Sequence, residues 1–146
     1  MPWKLKEKKT GESYVLDAYA LLAFLEAEEG GELVKKLLSD SKVRFFISAI
    51  NLGEVYYTIL RERGRASAEN FEFELVQAKN IRIVDATWDR AKIAGEFKAR
   101  GRISYADCFA AALALEKNAP LLTGDREFER VADKIKIVWL TEKALT

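Results

Sequence analysis

Between Tyr105 and Leu115 the chain reads YADCFAAALAL, and Asp107 is the only charged residue in that run. A helix that is apolar on every side has no face to show to water, so the fold must cover it all round. A carboxylate in its first turns is costly unless it is paired, capped or bound to a metal. Two further aspartates end apolar runs that read as strands, Asp17 after YVL and Asp125 after LLTG. In an open α/β sheet the carboxyl ends of the strands face the crevice where ligands bind. The three acids can therefore share one crevice.

The types of residue present narrow the chemistry. The 146 residues suit a single domain with a full core, and they include no histidine and one cysteine. Histidine bases, Ser-His-Asp triads and thiolate zinc sites are thereby excluded. Carboxylates are left as ligands, and they suit Mg²⁺ or Mn²⁺. Neither GxxxxGK[ST] nor GxGxxG occurs. The net charge of +1 gives no global basic field, so an acidic partner must be met by a local patch. Cys108, inside the apolar run, reads as a buried, inert thiol. The polar start MPWKLKEKKTG is unlike a signal peptide, and no apolar stretch is long enough to span a membrane. The expectation is a cytoplasmic protein with no membrane contact.

Along the chain, residues 1–12 read as a flexible basic segment ahead of a single domain over 13–146. Strands are predicted at 14–16, 44–47, 81–84, 121–123 and 135–140. Helices are predicted at 19–28, 32–39, 51–63 and 67–78, from Thr87 to Arg100, and from Ser104 to about Asn118, with a turn or short helix at 126–131. Gly30–Gly31, Gly64 and Gly101 act as stops. Strands alternating with helices imply parallel crossovers and a three-layer α/β/α sandwich around a central, mostly parallel sheet.

Each acid also has an ordinary structural reading. Asp17 can cap the following helix. Asp107, three residues after Ser104, suits a capping box, although that does not explain a charge inside so apolar a helix. Asp125 in TGDREF can be a turn residue. Glu54 falls opposite the apolar face formed by Leu52, Val55, Tyr56 and Ile59, where a solvated side chain is the default.

Four stretches carry a resemblance: YVLDAYALLAFLEAE, ISAINLGEVYY, ISYADCFAAALALEKNAPLLTGDREFE and IKIVWL. Together they resemble the PIN-domain family, and within it the VapC-type toxin ribonucleases of toxin–antitoxin pairs. Matched motif to motif, the family's four acids fall on Asp17, Glu54, Asp107 and Asp125. Thr123 matches the small hydroxyl residue two places before the fourth acid. The chain departs from the pattern at Tyr19, where many relatives have Ser or Thr.

The resemblance implies a PIN-like fold and Mg²⁺- or Mn²⁺-dependent endonucleolytic cleavage of RNA. Crowded carboxylates repel one another. A divalent cation removes that penalty, binds the phosphate and acidifies water. Asp17 and Asp107 would be the principal ligands. Asp125 would bind a second ion or orient ligands through water, and Glu54 would act through water or as a general base. Thr123 and the local cations Arg100, Arg102 and Arg126 would grip the substrate, a kind of contact that confers little sequence choice. Relatives of this kind form homodimers and bind a small, partly disordered antitoxin across the first helices. The alternative is a PIN-like module that binds RNA or protein without cutting. A haloacid-dehalogenase-type phosphatase would want a second Asp at 19, and a receiver domain would want paired acids and a late lysine. Neither fits.

Overall fold

A computed structural model describes residues 12–142. The expected basic segment at the N-terminus lies outside them, Glu12 apart. In chain order the elements are β1 (Ser13–Leu16), α1 (Ala18–Leu25), α2 (Gly31–Leu38), β2 (Arg44–Ser48), α3 (Ala49–Arg63), α4 (Arg65–Gln77), β3 (Ile81–Val84), α5 (Trp88–Ala99), α6 (Tyr105–Lys117), β4 (Leu121–Thr123), a 3-10 turn (Arg126–Val131) and β5 (Ile137–Trp139).

The strands form one five-stranded sheet in the order β3-β2-β1-β4-β5. Every pairing is parallel, with Val15 opposite both Phe46 and Leu121. From β1 the chain builds outward through β2 and β3. It then crosses back to lay β4 and β5 on the other side of β1. The order therefore reverses between β1 and β4, and a doubly wound sheet opens its ligand crevice at that point, beyond the carboxyl ends of the strands.

Alternation along the strands gives each face of the sheet its own core. Val15 and Leu121 point to the layer containing α5 and α6, with Phe97, Phe109, Leu113 and Phe128. Leu16, Phe45, Ile47 and Leu122 point to the layer containing α1 to α4, with Leu21, Val34, Val55 and Ile59. This is the α/β/α sandwich expected from the pattern of elements. Helix α6 packs against β1, β2 and β4, against α3 and α5, and against the 3-10 turn. Its residues Cys108 to Ala114 are all buried, which explains an apolar run with no polar face. Asn118 ends the helix in the left-handed conformation, with Pro120 beyond.

The element boundaries differ from the predicted ones by a few residues. Helix α1 stops at Leu25 rather than 28, because Glu28 N–H turns back to the carbonyl of Ala23 and Ala27 takes a positive φ. Helix α3 starts at Ala49, capped by Ser48, whose Oγ accepts from Ile50 N–H at 3.1 Å. The last strand is shortened to 137–139. Among the described residues no helix is long and apolar enough to cross a membrane.

Candidate metal centre

The β1/β4 reversal brings Asp17 and Asp125 to one crevice, because each follows its strand almost at once, and Thr123 joins them. Asp17 caps α1 and is only 2% exposed. Its Oδ1 accepts from Ala20 N–H at 2.8 Å, and its Oδ2 accepts from the Thr123 hydroxyl at 2.5 Å. The Thr123 oxygen in turn accepts from Asp125 N–H at 3.0 Å. One fully buried hydroxyl therefore ties the ends of the two strands together. Asp125 caps the 3-10 turn through Glu127 N–H at 2.9 Å. The structural readings of Asp17 and Asp125 as caps are thus real, and they hold the carboxylates in place.

Asp107 enters from α6. Ser104 caps that helix by accepting from Asp107 N–H at 3.1 Å. The Asp107 carboxylate faces other acids: one oxygen each from Asp107, Asp125 and Glu127 lies within 4.8 Å of the others. Glu127 was not singled out in the sequence. Its only signal there is its place two residues after Asp125, in a turn tight enough to send both side chains the same way.

Glu54 is half-buried and is not a fully solvated side chain. Asn51 Nδ2–H donates to its Oε1 at 3.2 Å and to the carbonyl of Ala106 at 3.0 Å. Asn51 is itself fully buried, so it pins the start of α3 to the first turn of α6, next to Asp107. A helical wheel scores the apolar stripe of α3, but this contact is polar and lies off that stripe. Sequence periodicity therefore missed Asn51.

Crowding and burial show in the electrostatics. Burial pushes Asp17 up to about 7 from 3.8; the Thr123 and Ala20 hydrogen bonds oppose this, and the charges of Asp107 and Asp125 add to it. Burial also raises Asp107 to about 7, with the charge of Asp125 next; the Ser104 hydrogen bond opposes, while Glu54 and Glu127 add. Geometry groups the carboxylates of Asp107, Asp125 and Glu127, while Asp17 and Glu54 stand outside that group and are linked to it by charge and by the Thr123 and Asn51 hydrogen bonds. Their donors are oxygen alone, which suits a hard divalent cation, and a cation would relieve the repulsion that raises both values.

A stability test follows from these shifts. An acid with a raised folded-state pKa binds more protons folded than unfolded. The stability these two groups contribute is complete near their ordinary value of 3.8 and is lost as the pH climbs through about 7. Glu116 and Asp133, which Arg90 and Arg100 hold below the usual carboxylate range, act in the opposite sense but at lower pH. With chelator present, the melting temperature is expected to fall between pH 5.5 and pH 8, and Mn²⁺ at pH 8 should recover it. A melting temperature that rises across that window in chelator would contradict the assignment.

The expected substrate cations are less free than the sequence implied. Arg100 Nη2 holds both oxygens of Asp133, at 2.9 and 3.1 Å. Arg126 lies over the Trp139 ring at 4.1 Å and donates to the carbonyl of Thr141 at 2.7 Å, so its guanidinium braces the end of β5. The side chain of Arg102 is exposed, while its carbonyl accepts from Arg130. Cys108 is buried and its thiol is pushed up to about 11 by burial, as suits an inert core residue.

The PIN domain family model matches residues 14–134. Among curated proteins none matches the chain. Several solved structures share its fold. VapBC2 from Rickettsia felis, bound to a DNA fragment from its promoter, is 18% identical with a TM-score of 0.67, covering 88% of this chain and 99% of that one. The Sarcin-Ricin loop cleaving toxin VapC20 from Mycobacterium tuberculosis is 19% identical with a TM-score of 0.67, over 81% and 94% of the two chains. VapBC-1 from nontypeable Haemophilus influenzae is 20% identical with a TM-score of 0.67, over 89% and 99%. At these identities the likeness is one of fold. The family match over most of the chain, together with that fold, shows that the protein belongs to the PIN domain family.

Proposed function

We propose that this chain is a divalent-metal-dependent endoribonuclease, and that it is the toxin of a toxin–antitoxin pair. The observation that carries the reading is a set of acids that the fold crowds together at a cost to itself. Asp17 and Asp107 are held in low-dielectric surroundings beside further carboxylates, with no cationic side chain among the causes that set their protonation. Such an arrangement serves a ligand better than it serves folding.

Asp17, Asp107 and Asp125 would hold the cation, with Glu127 as a further oxygen donor. When bound, Mg²⁺ or Mn²⁺ neutralises the cluster, engages the phosphate and lowers the pKa of water. The protein's own residues do the positioning. Thr123 and Ala20 fix both oxygens of Asp17. Asn51 holds Glu54 beside α6, where its carboxylate can accept a proton as general base or act through water. Arg102, and Arg100 once it releases its exposed Asp133 partner, supply phosphate contacts on the loop that leads into α6. A surface pair of that kind is worth little and is readily exchanged.

Among solved structures of the same fold, one from Klebsiella pneumoniae is a toxin–antitoxin complex. We assign the same kind of partner here, a small and partly disordered antitoxin that folds on binding. A groove of about 410 Å³ lies among α1, α3 and α4, with Leu21, Phe24, Leu25, Ile59 and Phe71 on its walls and Arg63 and Glu26 at its edge. An apolar helix face fits such a groove. We also assign a homodimer, as the resemblance implies.

The deciding experiment incubates purified protein with single-stranded RNA in Mn²⁺ or Mg²⁺, with and without chelator. Internal cleavage that stops on chelation is the expected result. RNA bound but left intact in both metals would replace the enzyme reading with that of a binding module.

A further inference from the structure

Tyr19 stands in the first turn of α1, two residues after Asp17, and is 38% exposed. Across the crevice from it lies Gly124, buried between Thr123 and Asp125. A Cβ at position 124 would fall 2.3 Å from Tyr19 Cε1, 2.5 Å from Cζ and 2.8 Å from Oη. No side chain can stand so close to a ring without displacing it. The phenol end of Tyr19 therefore occupies the space that any other residue at 124 would fill, and the ring reaches from α1 to the loop that carries Thr123 and Asp125.

Gly124 lies between Thr123 and Asp125, so the hydroxyl stands at the rim of the acid cluster; the charges of Glu29 and Glu28 act on it first, and those of Asp17 and Asp125 after them. Among the described residues the hydroxyl has no hydrogen-bond partner. Ionised carboxylates are acceptors only, and a nucleic-acid backbone brings further acceptors. Donors are scarce at this rim, because Arg126 is held by Trp139, Thr141 and Glu129. A phenol O–H provides a donor there without adding a cation that would compete with a metal for the acids.

We propose that Tyr19 is a substrate-binding residue whose hydroxyl donates to a phosphate or ribose oxygen of a single RNA strand beside the acid cluster, and that the bare backbone of Gly124 lets the ring reach that position. The proposal rests on the ribonuclease reading above.

The test uses the full chain as wild type, Tyr19→Phe, Gly124→Ala and the double variant. Binding of a fluorescent single-stranded RNA is measured by anisotropy in Ca²⁺, cleavage of the same RNA in Mn²⁺, and Mn²⁺ affinity by calorimetry. Loss of one hydrogen bond in Tyr19→Phe should weaken RNA binding and raise KM about three- to tenfold. kcat should stay within about twofold, as expected when a substrate contact is lost rather than a transition-state one. Mn²⁺ affinity should not change. Gly124→Ala should reproduce the RNA defect by displacing the ring, and the double variant should be no worse than Tyr19→Phe alone. Wild-type RNA affinity and KM in Tyr19→Phe would overturn the proposal, as would a loss of Mn²⁺ affinity equal to the loss for RNA. A wild-type protein that neither binds nor cuts RNA would remove the ribonuclease reading itself, and this proposal with it.

Discussion

Asp107→Asn is expected to lower cleavage of single-stranded RNA by at least about a hundredfold, since even the outer-shell partners of metal ligands cost up to that much when removed. The same change should weaken Mn²⁺ binding. In the absence of metal it should leave the fold as stable as wild type or more stable, by on the order of 1 kcal/mol at pH 8. The sign of the stability effect follows from what surrounds the carboxylate. Burial and the charges of Asp125, Glu54 and Glu127 all disfavour its ionised form. Its helix is capped by the Ser104 hydroxyl through the Asp107 backbone N–H, and the amide variant keeps that bond. Removing the charge therefore removes repulsion and no cap. A large loss of stability in metal-free melts would mean that Asp107 is chiefly structural, and the functional assignment would fail at its central residue.

That residue was legible in the sequence because it breaks a strong pattern. An apolar run of this length must be covered on all sides, and Cys108 to Ala114 are covered. The layer architecture was also legible, since strand and helix periods alternate along the chain. Gly30–Gly31 marks the break between α1 and α2 for a physical reason, though α1 itself ends earlier, at Leu25: Gly30 takes φ +89°, and a Cβ on Gly31 would fall 2.3 Å from the carbonyl oxygen of Ala23. The order of the strands was not legible. Periodicity tells which face of a strand is buried and says nothing of its neighbour, so the adjacency of Asp17 and Asp125 appears only once β4 is seen beside β1. The helical wheel failed for Glu54 for a related reason, because Asn51 makes a buried contact with polar groups and no apolar count registers it. Arg126 read as a phosphate contact from its place beside Asp125. In the fold its neighbour is Trp139, 13 residues further along the chain but 4.1 Å away in space.

Thr123→Val should be the most destabilising single change near the site, by about 2–3 kcal/mol at pH 8, because it strips a buried carboxylate of a donor while keeping the side chain's shape. Thr123 is fully buried and holds two groups at once, Asp17 Oδ2 at 2.5 Å and Asp125 N–H at 3.0 Å. Valine fills the same space and can replace neither bond. The pH dependence separates this cause from packing. The Thr123 bond lowers the Asp17 pKa, so its loss raises further a value already near 7. At pH 5 Asp17 is then protonated in the folded variant and carries little penalty. At pH 8 it must ionise without its donor, and the deficit should be largest there. Urea unfolding in chelator at the two pH values measures the difference, and Thr123→Ser should restore most of it. An equal loss at both pH values would assign the effect to packing. No loss at either would mean that this hydroxyl does not hold the two strand ends, and the geometry of the acid cluster would then need another source.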